Sequence, residues 1–184
     1  MSASTPVTPV LRLARLDEAD AIDRLMKAST QVLFPSFYNT QQTASSIRYI
    51  ASVDRMLIED GTYFVIPANG ELVACGGWSR RNKLYTGSGD AAEDTRLLDP
   101  LIEPAHVRAM FTRADWTRRG LGTHILEACE AAAKAEGFQR LSLMATLPGV
   151  SLYARYGFQE LEYKLVKMPD GVMVGAVEME KPID

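Results

Sequence analysis

Residues 116–137 read WTRRGLGTHILEACEAAAKAEG, and the rest of the chain is best read outward from them. Leu121, Ile125, Ala128, Cys129 and Ala132 recur at the spacing of a helix that lays one stripe on a core. Glu127, Glu130 and Lys134 fall on the opposite face, Glu130 and Lys134 standing four apart with the acid first. Gly137 supplies a left-handed cap. The start of this helix is unusual. Aligned peptide dipoles leave roughly half a positive charge at a helix N-terminus, where acidic side chains are the usual neighbours. Arg118 and Arg119 oppose that preference at about 0.3–1 kcal/mol each. Free N–H groups, the dipole and two guanidiniums together suit an anion, a phosphate best of all, and Gly120 and Gly122 let it approach the backbone. The glycine spacing alone fits a plain strand-to-helix turn equally well, with solvated arginines and Asp115 or Thr117 as cap. No lysine follows the second glycine as a P-loop requires, and the third glycine of a dinucleotide fingerprint is missing.

The flanking segments give the fold. HVRAMFT (106–112) and RLSLMAT (140–146) read as strands on either side of the helix, and VSLYARY (150–156) reads as a short helix. LEYKLVKM and VMVGAVEMEK form a closing hairpin around Pro169-Asp170-Gly171. Upstream, LDEADAIDRLMKAST predicts a helix with Asp17 as its N-cap, and a second helix is expected around Ala44–Ser52. TYFVI and ELVACGGW predict a hairpin through Ala68-Asn69-Gly70. Residues 80–104 show no period and read as an irregular insertion; residues 1–9 read as a frayed end. Helices between strands, with hairpins at both ends, predict one α/β domain over 1–184 built on a mixed sheet.

Composition narrows the function. A chain of 184 residues, 47% hydrophobic and 23% charged, is an ordinary globular domain. A formal net charge of −3 argues against generic nucleic-acid binding. Its apolar runs fall short of the roughly 20 residues of a membrane span. The N-terminus has no signal-peptide pattern, so a cytoplasmic location is expected, with Cys75 and Cys129 as buried free thiols. No His/Cys/carboxylate cluster has metal-ligand spacing, so no metal is expected.

Two motifs in order carry a resemblance. Thr117-Arg118-Arg119-Gly120-Leu121-Gly122 resembles the pyrophosphate signature of the GCN5-related N-acetyltransferase (GNAT) superfamily, with threonine where the family has glutamine or arginine. Leu152-Tyr153-Ala154-Arg155-Tyr156-Gly157-Phe158 resembles the family's Tyr, three residues, Gly-Phe segment. The motif-bearing resemblance runs from about Val107 to Phe158. It implies a mostly antiparallel sheet flanked by helices, with a splay between two central parallel strands. It also implies acetyl-CoA as acyl donor and a primary amine of a small molecule or protein as acceptor, reacting by direct attack in a ternary complex. The cofactor contacts it implies are Met110, Phe111 and Thr112 on the first strand, then Arg118, Arg119, Gly120, Leu121, Gly122 and Thr123 at the turn. The final hairpin is an edge by which relatives dimerise, so a homodimer is one expectation.

The implied chemistry has two proton problems. A lysine-like ammonium of pKa about 10.4 leaves about one molecule in a thousand as nucleophile near neutral pH, roughly 4 kcal/mol uphill. The leaving thiolate also departs more readily if protonated. Tyr153 takes the position of the family's catalytic tyrosine, as general acid; Tyr156 is the weaker second choice. His106 is the candidate base, with Glu103 and Glu59 behind it. Phe34, Phe37 and Tyr38 are candidates to wall an apolar acceptor pocket, and Arg80, Arg81 and Arg96 to meet an acidic acceptor. Two other readings stay open: a non-catalytic acetyl-CoA-binding or regulatory module with the same fold, and a nucleotide-phosphate binder that uses the glycine turn alone.

Overall fold

A computed structural model describes residues 9–85 and 95–184. Strands at Arg12–Leu13 (β1), Tyr63–Ala68 (β2), Glu71–Ser79 (β3), Ala105–Thr112 (β4), Arg140–Thr146 (β5), Gln159–Lys167 (β6) and Met173–Pro182 (β7) build one sheet. Their order across it is β1-β2-β3-β4-β5-β7-β6. Among the described residues five α-helices flank the sheet: Ala19–Leu33 (α1), Thr40–Tyr49 (α2), Arg55–Glu59 (α3), Leu121–Ala135 (α4) and Val150–Tyr156 (α5). Every neighbouring pair is antiparallel except β4 and β5, so the mixed, mostly antiparallel α/β sheet expected from the sequence is present. Ile125, Leu126, Leu141, Leu143 and Met179 fill the core on the α4 side, and Ile22, Met26, Leu57 and Val65 fill it on the α1 side. Cys75 and Cys129 are buried free thiols.

The shape of the centre follows from one extra residue in β4. Cys75 pairs with Phe111 and Gly77 with Arg108, so two steps on β3 face three on β4. The surplus is absorbed at Ala109, which takes φ 52, a left-handed conformation that alanine adopts at a cost of about 1–2 kcal/mol. The bulge reverses which residues face which core. Ala105 and Val107 pack on the α4 side, as does Met110 beyond the bulge, whereas Ala109 and Phe111 pack on the α1 side. Tyr63, fully buried on β2, donates its hydroxyl to the Ala109 carbonyl at 2.7 Å and holds the bulge in place. Gly76 completes it: a Cβ there would lie 2.2 Å from Met110 Sδ.

β4 and β5 part before the bulge is reached. They meet only at Ala105–Leu141 and His106–Ser142 and then diverge, which is the expected splay. His106 sits at this closed end, 8% exposed, its Nδ1 2.6 Å from Ser142 Oγ. Burial, reinforced by the positive charge of Arg108, pushes its imidazole down to about 4.

Several local expectations are corrected. Asp17 does not cap α1; it lies in the 3-10 turn Leu16–Glu18, and Glu18 accepts the Arg15 N–H (2.9 Å) and the Arg12 guanidinium (2.6 Å) instead. Helix α2 begins at Thr40, four residues before the expected start, because Asn39 and Gln42 exchange side-chain and backbone bonds in a capping box. Glu130 does not reach for Lys134; it takes Lys181 Nζ at 2.8 Å and the Tyr156 hydroxyl at 2.7 Å. The expected frayed end lies almost wholly outside the described residues. Of the insertion, the described parts hold a bridge between Arg81 and Leu97.

Two stability predictions follow from these contacts. Tyr63→Phe leaves the partly buried Ala109 carbonyl without its donor, a loss of about 0.5–1.5 kcal/mol in urea unfolding; an unchanged midpoint would show that the bulge holds itself. For His106 the folded value, about 4, lies below the ordinary 6.5, so its contribution is full above pH 6.5 and is lost as pH falls toward 4. Across that window the wild type loses up to about 3 kcal/mol from this group. His106→Gln flattens the pH profile of stability, and parallel profiles for the two proteins would contradict the assignment.

Candidate active site

The gap between β4 and β5 opens into a cleft of about 560 Å³. Met110, Phe111 and Thr112 line it from β4, Tyr153 from α5, and Arg118, Gly120, Leu121, Gly122 and Thr123 from the turn that starts α4. Residues separated by more than forty positions in the chain thus meet at one opening.

The turn is shaped for an anion. Arg118 (φ 61) and Gly120 (φ 77) are left-handed, with Arg119 at negative φ between them. This alternation turns successive N–H groups into a common concavity. Gly120 is the N-cap of α4 and no side chain caps the helix, so the N–H groups of Leu121, Gly122 and Thr123 open it unanswered by a cap. The two expected caps are engaged elsewhere: Asp115 pairs with Arg113 at 2.6 Å, and the Thr117 hydroxyl donates to the Ala114 carbonyl at 3.0 Å. The two arginines part company. Arg118 lines the cleft, whereas Arg119 does not: its guanidinium stacks over Trp116 at 4.3 Å and donates to the Asp115 carbonyl at 3.2 Å. Stacking on an aromatic face answers a guanidinium at a helix start without any ligand.

The edge of β4 is the second feature. Arg113 N–H donates to the Val73 carbonyl on β3. Strand backbone alternates, so Met110 and Thr112 direct their groups to the opposite edge, where β5 has moved away. The Thr112 carbonyl there accepts the Ser29 hydroxyl from α1 at 2.6 Å. The third feature is Tyr153, 8% exposed and edge-on to Phe158 at 5.8 Å, whose hydroxyl takes no hydrogen bond among the described residues. Burial raises its phenol well above the ordinary tyrosine value.

Other candidates are not brought here. His106, Glu59 and Glu103 lie outside the cleft lining; Glu103 is held by Arg96 (2.9 Å) and by the Asp99 N–H (2.7 Å). Arg80, Arg81 and Arg96 are also elsewhere, paired with Glu136, Asp60 and Glu103. Tyr156 bonds Glu130. Of the three aromatics, Phe34 and Phe37 line the cleft, while Tyr38 sits behind it. Arg108 was missed by the sequence reading. Its side chain is 2% exposed and lines the cleft, with Asp54 3.2 Å away and Lys83 on the same carboxylate at 3.1 Å. Against the upward push of burial, these two cations hold Asp54 below the usual carboxylate range. The available signal was a charge in the middle of an apolar strand, HVRAMFT. Among the described residues there is no group of three or more His, Cys, Asp or Glu that could hold a metal, and no helix long and apolar enough to cross a membrane.

Comparison with known proteins agrees with this geometry. The chain is similar over 98% of its length to a GCN5-related N-acetyltransferase from Rhodopseudomonas palustris, at 19% identity and a TM-score of 0.73, with 99% of that chain covered. It is similar to the PaiA N-acetyltransferase from Thermoplasma acidophilum in complex with coenzyme A (14% identity, 96% of this chain and 99% of that one, TM-score 0.65). A third likeness is to yncA from Salmonella typhimurium with its cofactor acetyl-CoA (13% identity, 96% and 95%, TM-score 0.62). No curated protein sequence matches the chain. The sequence profile of the acetyltransferase (GNAT) family matches residues 26–158, most of the chain, and the protein therefore belongs to the acetyltransferase (GNAT) family.

Proposed function

We propose that the protein is an N-acetyltransferase that moves the acetyl group of acetyl-CoA to a primary amine by direct attack within a ternary complex. One observation carries this reading: an uncapped helix start, an unpaired strand edge and a buried tyrosine line the same cleft. A nucleotide-phosphate binder would use the first alone. The fold neighbours that hold coenzyme A or acetyl-CoA support the choice of donor.

Each group has a task. The N–H groups of Leu121, Gly122 and Thr123, with the Arg118 guanidinium, hold the donor's pyrophosphate. Arg119 is left out of this set because it is committed to Trp116. Met110 and Thr112 offer backbone groups to an amide-bearing arm lying in the splay, with Phe111 between them. Met110 N–H also meets the carbonyl oxygen as negative charge grows on it, a type of contact worth several kcal/mol in other enzymes. Tyr153 keeps its proton because burial raises its pKa, and passes it to the departing sulfur. The attacking nitrogen forms its bond to the acyl carbon as the carbon–sulfur bond breaks, and its excess proton leaves to solvent. His106 is not proposed as the base, being buried at the closed end of the splay against Ser142.

Tyr153→Phe tests the acid. The hydroxyl has no partner among the described residues, so its removal is expected to leave the melting temperature and the acetyl-CoA Kd close to wild type. Turnover is expected to fall by roughly 10²–10⁴-fold, the range of a positioned acid. Wild-type turnover in this variant would remove the role, and a bound donor with no turnover in either protein would favour the non-catalytic module. Because the phenol stays protonated, kcat is expected to show no alkaline limb from this group below about pH 10. Gly120→Ala tests the anion turn. Its Cβ meets nothing within 4 Å, but φ 77 costs alanine about 1 kcal/mol, so the turn shifts at little expense to the core. Titration calorimetry should then show at least a tenfold rise in acetyl-CoA Kd, and an unchanged Kd in the folded variant would sink the assignment.

A further inference from the structure

The cleft extends past the groups already used. We propose that this remaining part is an acceptor subsite for an apolar monoamine; the inference rests on the acetyl-transfer reading above. Its wall comes from three places that the topology brings together: Phe34 and Phe37 after α1, Ile50 after α2, and Met168 and Val174 in the final hairpin, with Met144 of β5 beside them.

This wall is built in advance of any ligand. Phe34, Tyr38, Met168 and Val174 pack as a buried cluster separate from the two main cores. The Tyr38 hydroxyl ties the segment after α1 to the final hairpin and to the end of β5, donating to the Gly175 carbonyl at 2.8 Å and accepting the Leu147 N–H at 2.8 Å. Tyr38 therefore acts behind the wall, while the two phenylalanines face the cleft. Phe37 lines the opening while 52% exposed, leaving aromatic surface that the fold itself does not bury. An apolar ligand lying against it would remove that surface from water.

Charge then chooses among amines. Arg108 lines the same cleft beside Asp54, whose carboxylate also takes Lys83, so two cations share one carboxylate there. A second ammonium on the acceptor would have to leave water, lie against phenylalanine, methionine and valine, and share low-dielectric space with that guanidinium. A polyamine or a basic peptide meets this penalty, and an amine with an apolar body does not.

The test begins with acetyl-CoA binding by calorimetry and continues with free-thiol release from phenethylamine, phenylalanine, isoamylamine, spermidine and a lysine-containing basic peptide. The expected result is a kcat/KM for the better apolar amine at least tenfold above that for spermidine or the peptide. A preference for phenylalanine, which carries a carboxylate beside its amine, over both phenethylamine and isoamylamine overturns the proposal. Phe37→Asp, at an exposed position, is expected to keep the melting temperature and acetyl-CoA Kd while shrinking the preference at least tenfold. Equal or better use of spermidine or the peptide by the wild type overturns the proposal. So does donor binding with no release from phenethylamine or isoamylamine, or an unaltered preference in Phe37→Asp. Failure to bind acetyl-CoA overturns instead the transferase reading beneath it.

Discussion

The hydrogen bond from Tyr63 to the Ala109 carbonyl fixes the one backbone irregularity on which the cleft depends. A β4 strand without the surplus residue would continue in register with β3, and its later side chains would all change faces. Met110 would then point toward α1 and Phe111 into the α4 core. β4 and β5 part after His106–Ser142, and the bulge three residues on bends the freed strand further from β5. A tyrosine on β2, three strands from β5, holds that bend without lining the cleft itself.

Electrostatics separates scaffold from site. Arg80, Arg81, Arg96, Arg113 and Arg140 each pair with a carboxylate at 3 Å or less. Such partly exposed pairs add little stability, but they commit the guanidinium. The charges on the cleft are differently placed. Arg118 lies on a left-handed turn beside an uncapped helix, and Arg108 lies in the sheet between a shared carboxylate and the opening. The helix start adds a fixed positive field that salt screens less when water is excluded.

What was legible in the sequence was whatever local rules control. The helix over 121–135 announced itself by period, its start by Gly120 and Gly122, and the closing hairpin by Pro169-Asp170-Gly171. Tyr153 came from a motif, and the structure buries it on the cleft. Misses arose where a partner distant in the chain decided the outcome. Arg119 reads like Arg118 in sequence, yet Trp116 captures it. Glu130 has a favourable helical neighbour in Lys134, but Lys181, fifty-one residues on, lies closer. His106 looked like a base by position, and Ser142 with the surrounding burial made it a neutral strand residue. The bulge left no sequence mark, since Ala109 is not a glycine and its clamp lies forty-six residues earlier.

The groups assigned to the donor are mostly peptide N–H groups, and this has a consequence for how the protein specifies its reaction. A backbone amide is present whatever side chain it carries, so the donor half of the cleft constrains conformation more than composition. It asks for left-handed backbone at Gly120 and a bulge at Ala109. A fold shared at 19% identity over 98% of the chain is what such a constraint permits. The acceptor half works by the opposite rule. Its wall is made of side chains, Phe34, Phe37, Ile50 and Met168, carried on the α1–α2 connection and the final hairpin. The α1–α2 connection meets the final hairpin and the end of β5 through Tyr38, away from the bulge. On the roles proposed above, acceptor choice would lie in apolar side chains and donor binding in backbone geometry that Tyr63 helps to fix.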